Sequence, residues 1–198
     1  MKSGPPALLS LVWRTVTSPR EAAETILSLG LPRQVLWMAL ALLCAVSAIL
    51  GALMPVLVPQ PPPVEGAPEP IVVPPLLFAA MMFVATALYA WLLGALGRQF
   101  RGSGRFDEAL ALLVFLQFAL LVAEVPQILL MAAAPPLAAV YFLAILILAI
   151  WVNVQFVDVL HGYGSLLKSV VLIFAVSALL AIALMTLLTL SGVGLEAR

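Results

Sequence analysis

Five apolar stretches, at about 34–56, 74–96, 108–132, 137–158 and 166–190, dominate this chain. Each reaches the roughly 20 residues a helix needs to cross the hydrocarbon core of a bilayer. In lipid no water is present to satisfy backbone N–H and C=O groups, so such runs must bond internally as helices. Composition points the same way: 65% of the 198 residues are hydrophobic and 9% are charged, against about 25% charged in an ordinary soluble domain. The fold class expected is all-α. It is a polytopic membrane protein, a five-transmembrane-helix bundle (34–198) led by a cytoplasmic amphipathic segment (1–33). We find no internal repeat, and an odd number of spans disfavours the paired inverted repeats of many transporters.

Orientation follows from where the cations fall. Lys2, Arg14, Arg20 and Arg33 precede the first span, Arg98, Arg101 and Arg105 lie between the second and third, and Lys168 flanks the turn between the fourth and fifth. Arg198 alone falls on the other side. The positive-inside rule then places the N-terminus in the cytoplasm and the C-terminus outside. The stretch 55–75 contains Pro55, Pro59, Pro61, Pro62, Pro63, Pro68, Pro70, Pro74 and Pro75, with Glu65 and Glu69 as its charges. It reads as an extended outer loop. The formal net charge is zero, so nothing suggests a nucleic-acid partner.

Ahead of the first span, Leu8, Leu9, Val12, Trp13 and Val16 recur at helical spacing, with Ser10, Arg14, Thr15 and Thr17 expected on the other face. Trp13 beside Arg14 suits a membrane interface. Ser18-Pro19-Arg20-Glu21 has the form of a capping box with proline at the first helical position. The second short helix should run over 19–29 and stop at Gly30, with Pro32 beyond. Lys2 followed by Gly4-Pro5-Pro6 does not have the form of a secretory signal, so no cleavage is expected.

Polar residues inside the spans are the candidate functional groups. Glu124 is foremost, because a carboxylate near the middle of a spanning helix costs on the order of 3 kcal/mol. Gln117 precedes it on the same span, and Pro126 removes a backbone hydrogen bond nearby, so Glu124 could donate to the freed Val122 carbonyl or to a neighbouring helix. Glu124 is either a neutral packing carboxyl, one reaching the outer interface, or a proton- or partner-binding site inside the bundle. Asn153, Gln155 and Asp158 crowd the inner end of the fourth span, with Asp158 expected to pair with Lys168 across the short turn. In that turn His161, Gly162 and Ser165 lie so close together that Ser165 reads as a helix cap, not a nucleophile. Arg98, Arg101 and Arg105, with Arg14 and Arg20, are candidate contacts for anionic headgroups. Cys44 is the one cysteine, which rules out an internal disulfide. No phosphate loop, dinucleotide fingerprint or metal-binding histidine pair occurs, and no cofactor is expected.

Three features resemble the Yip family, the Ypt/Rab-GTPase-interacting membrane proteins, in its bacterial form. They are the amphipathic lead with Ser18-Pro19-Arg20-Glu21, the Gly102-Ser103-Gly104 loop feeding the span that reaches Pro126, and the Leu160-His161-Gly162 turn with Ser165 and Lys168 before the last span. The resemblance covers nearly the whole chain. It implies a five-span bundle with a cytoplasmic N-terminal segment. Eukaryotic members are tied to vesicle traffic and membrane shaping, but their GTPase-binding role does not carry over to a bacterial membrane. The expectation is a non-enzymatic protein of the bacterial cytoplasmic (inner) membrane that organises lipids or partner membrane proteins, as a homo-oligomer or with another chain. The alternatives are a small transporter or ion-pathway component using Glu124, and an accessory subunit of a larger complex.

Overall fold

The computed structural model describes residues 8–57 and 73–190. The expectations for the leader before Leu8, for most of the proline-rich loop and for the tail carrying Arg198 lie outside the described residues. Seven helices make up the described chain: α1 (Leu8–Thr17), α2 (Pro19–Ser28), α3 (Arg33–Leu57), α4 (Pro75–Gln99), α5 (Phe106–Ala133), α6 (Pro135–His161) and α7 (Leu166–Leu190). No strand occurs among the described residues. The last five helices are long and apolar enough to cross a membrane. α5 is the most enclosed of them and packs against α2, α3, α4 and α6, while α7 closes the bundle against α4 and α6.

The helix ends follow from local chemistry. Pro19, Pro75 and Pro135 each sit in the first turn of a helix, where the missing N–H would have had no partner. α6 stops at Gly162, whose φ of 64° is left-handed. The Tyr163 N–H then returns 3.2 Å to the Asp158 carbonyl, the closure typical of a glycine C-cap. Two differences from expectation appear here. Ser18 makes no side-chain cap bond, so the capping box at α2 does not form. α3 runs through Pro55 to Leu57, taking the first residues of the proline-rich stretch into the helix.

The face of α1 turned to the protein also differs from expectation. Leu11 and Thr15 are buried and Val12 is partly so, with the Thr15 hydroxyl donating to the Leu11 carbonyl at 2.9 Å. Leu9, Trp13 and Val16 form an exposed apolar stripe, Trp13 at 69%. A helix lying between protein and lipid has two apolar faces, and periodicity alone does not say which one meets which.

Packing is uneven along the bundle. Buried residues occupy the first two-thirds of α3 (Leu36 to Ala48), the second half of α4 (Ala90 to Gly97), the first half of α5 (Ala109 to Phe115), the end of α6 (Val152 to His161) and the start of α7 (Ser169 to Val176). All of these lie at the end that carries Arg33, Arg98, Arg101 and Arg105. Ala138 is the exception among the spans. The opposite half is looser, and this difference sets where the two sites below can form.

Candidate functional sites

The arginine-bearing end is locked by polar contacts between segments distant in sequence. Asp158, whose side chain is fully buried, pairs with Arg20 at 2.5 Å and accepts the Ser165 backbone N–H at 2.9 Å. It therefore ties α2 and the start of α7 to α6. The expected partner, Lys168, is exposed: its place on the outer side of the first turn of α7 points it away, and α2 supplies the cation instead. Arg20 is thus engaged by protein. Arg33 and Asp107 form a bidentate pair at 2.6 and 2.9 Å, with the guanidinium 5.7 Å above the Phe106 ring. The Glu108 carboxylate accepts the Arg105 N–H at 2.8 Å, satisfying a free donor at the start of α5.

His161 is enclosed more tightly than its place in a turn suggests. Its Nδ1 accepts the Gly104 N–H at 3.2 Å, its carbonyl accepts the Ser103 N–H at 3.3 Å, and its ring stacks on Tyr163 at 5.1 Å. A Cβ added at Gly97, Gly102 or Gly104 would fall 2.1, 2.5 or 2.7 Å from that ring. Glycine is needed at these three positions because the imidazole occupies the space. Tyr163 donates to the Gly97 carbonyl at 3.0 Å, and burial pushes its phenol up, which keeps the donor protonated. Ser165 holds its backbone N–H on Asp158, and its hydroxyl shows no bond to His161. The histidine therefore packs the α4–α5 loop against the end of α6.

Beside this lock lies a crevice of about 350 Å³ lined by Arg33, Arg98, Arg105, Trp91, Ser103 and Asp107, among others. Arg98 and Arg105 are exposed, and neither side chain has a hydrogen bond or ion pair among the described residues. Arg33 and Asp107 neutralise one another. The crevice thus offers the guanidiniums of Arg98 and Arg105, the latter also within the field of Asp107, beside Trp91, which is 57% exposed, while the Ser103 hydroxyl donates to the His161 carbonyl at 3.5 Å. Arg101, which has a φ of 63°, and Arg14 are exposed but do not line the crevice.

A second cavity, about 400 Å³, opens in the looser half between α3, α4, α5 and α6, and Glu124 and Gln117 line it. Glu124 has no hydrogen-bond partner among the described residues, so the bond considered toward a proline-freed carbonyl is not made. Neighbouring groups bind the walls instead. The Tyr141 hydroxyl donates to the Ala123 carbonyl at 3.0 Å and the Gln127 amide to the Ala138 carbonyl at 3.2 Å. Gln117 donates 3.6 Å to the Cys44 sulfur. Asn153 donates to the Tyr89 hydroxyl at 3.2 Å, and Gln155 is buried with its carbonyl oxygen unpartnered among the described residues. Asn153 and Gln155 line neither the crevice nor this cavity.

The sequence reading missed Arg33, Trp91, Ser103, Gln127, Tyr141 and Gly97 as site residues. The glycines at 97, 102 and 104 carried a signal, since repeated glycine near a helix end marks close approach. Nothing local marked the Arg33–Asp107 pair, whose members are 74 residues apart.

Five apolar helices, bound at one end by two ion pairs and a glycine-cradled histidine, make this a multi-pass membrane protein. The Yip1 domain matches residues 13–188, and the chain belongs to that family. No curated protein and no solved structure matches it.

Proposed function

We propose that this chain is a non-enzymatic Yip-type protein of the bacterial cytoplasmic membrane that holds anionic phospholipid headgroups at the cytoplasmic leaflet and so organises the lipids or membrane proteins around it. Residues 1–33 lie on the cytoplasmic face in this reading, and the C-terminus is periplasmic. One observation carries it: Arg98 and Arg105 converge on a crevice with Trp91 at its edge. Arginine suits phosphate because its planar fork can donate two parallel hydrogen bonds. Trp91 suits the level where headgroup gives way to acyl chain. The positive-inside bias supports the orientation, and the exposed stripe of Leu9, Trp13 and Val16 supports α1 lying in the same interface.

The test is retention of phosphatidylglycerol by the purified protein, read by native mass spectrometry from detergent micelles. Each basic residue near a membrane surface contributes about 1 kcal/mol, so neutralising Arg98 and Arg105 together to glutamine should weaken retention about thirtyfold. Arg101→Gln, outside the crevice, should change it far less. Equal loss from Arg101→Gln, or no loss from the double variant, would show that the crevice is not the binding site.

A further inference from the structure

The cavity in the looser half has a chemical character that the headgroup reading does not use. Its polar lining consists of Ser47, Gln117, Glu124, Gln127 and Tyr141. Gln127 directs its amide N–H into the Ala138 carbonyl, leaving its Oε1 buried and unpartnered among the described residues. Gln117 places its amide nitrogen against Cys44, which leaves its carbonyl oxygen over. The Tyr141 hydroxyl donates its hydrogen bond to the Ala123 carbonyl. Glu124 sits among them with no partner. Among the described residues, no Lys, Arg or His lines this cavity. The remaining wall is apolar and includes Phe78 and Phe142, and aromatic faces attract cations.

A carboxylate without a partner and the buried Gln127 oxygen, set in a largely apolar chamber, complement a ligand that brings donors and positive charge. A neutral apolar guest would leave the acceptors unsatisfied, and an anion would meet Glu124. A volume of about 400 Å³ falls within the range of small-molecule pockets. We infer that this cavity is a binding site for a lipophilic amine in its protonated form, with Glu124 and the Gln127 oxygen receiving the ammonium N–H groups and the aromatic wall receiving the apolar body. The site lies in the half of the bundle remote from the arginine crevice and stands whether or not that crevice binds lipid.

The probe is monodansylcadaverine, a fluorescent primary amine, titrated against the protein in nanodiscs and read by energy transfer from tryptophan to dansyl. Saturable transfer is expected for the native chain. Acetylating the probe's amine should abolish it, which separates the ammonium from mere greasiness. Glu124→Gln should weaken binding about ten- to a hundredfold, the usual span for losing a hydrogen bond to a charged group. A Cβ at Gly51, which lines the same cavity, meets nothing within 4 Å. Gly51→Phe should therefore fold and block the cavity without touching any charge, which guards against a Glu124 variant that fails to fold. Equal binding of the acetylated probe, no saturable transfer in the native chain, or undiminished binding in both variants would overturn the assignment. Arg98→Gln/Arg105→Gln should bind the probe normally.

Discussion

The glycine cradle around His161 yields a prediction whose sign can be worked from geometry. Gly97 lies within α4, where alanine is ordinarily favoured over glycine by up to about 1 kcal/mol. The Cβ of Gly97→Ala would stand 2.1 Å from His161 Cε1, more than an ångström inside the roughly 3.5–4.0 Å optimum for carbon contacts. The ring has no retreat, because Gly102 and Gly104 press its other sides, Tyr163 stacks on it and Gly104 holds its Nδ1. Overpacking of this kind costs about 1–3 kcal/mol. It outweighs the propensity gain and leaves a net loss of about 1–2 kcal/mol. At roughly 2–4 °C per kcal/mol for a chain of this size, the melting temperature should fall by about 2–8 °C. Cys44, 2% exposed and the single cysteine, is a built-in reporter: a fluorogenic maleimide should label it only as the bundle opens on heating in detergent. Gly94→Ala, one turn earlier on the same helix, would meet Phe106 N at an ordinary 3.5 Å and should melt at or slightly above the native temperature. In a His161→Ala background the Gly97→Ala penalty should vanish, a coupling that only direct contact produces. If Gly97→Ala melts like the native chain, or costs the same with and without the imidazole, the cradle does not exist as described.

Two further outcomes concern the N-terminal helices. Removing one member of a buried ion pair costs about 3–5 kcal/mol, but Arg20 is 52% exposed, so solvent screening reduces this to about 1–2 kcal/mol for Arg20→Ala. The loss should appear as faster amide hydrogen exchange across α1 and α2, and unchanged exchange there would mean that Asp158 does not hold them. A variant keeping Trp13 as its sole tryptophan should be quenched more by lipids brominated near the headgroup than by lipids brominated deep in the chain, whereas equal or no quenching would place Leu9, Trp13 and Val16 away from the interface.

Much of the architecture was legible in the sequence because its causes are local. A run of apolar residues long enough to span is visible without knowing its neighbours, and so are stops such as Gly30 and Gly162, or starts such as Pro19 and Pro135. The sites were legible in proportion to how unusual a residue was in its own surroundings. Glu124 stood out because a carboxylate rarely sits there, and it does line a cavity. Asp158 stood out too, but its partner was misjudged. Lys168 lies ten residues away along the chain, while Arg20 lies 138 away, and only the docking of α2 against α6 decides between them. The face of α1 failed for a different reason. Periodicity ranks faces by polarity, but Thr15 can be buried once its hydroxyl bonds the Leu11 carbonyl, and Trp13 can be exposed if what it meets is lipid.

The uneven packing gives the two sites different mechanical settings. Arg20–Asp158, Arg33–Asp107 and the His161 cradle all lie at the arginine-bearing end, and each joins segments that would have to separate together. A binding crevice built there is preformed, because its guanidiniums are carried on helix ends already fixed by neighbouring contacts, and preformed groups lose less freedom on binding. The Glu124 cavity has no ion pair among its wall bonds: Tyr141 to Ala123 and Gln127 to Ala138 join α5 to α6, and Gln117 to Cys44 joins α5 to α3. The α3 and α4 residues that line the cavity make no side-chain hydrogen bond to α6 among the described residues; the bond from Asn153 to Tyr89, which joins α6 to α4, lies outside the lining. A guest entering there therefore meets a wall that can part between α3–α4 and α6 while the opposite end stays closed. That division of labour follows directly from where the sequence places its small, polar and charged residues along five otherwise similar apolar helices.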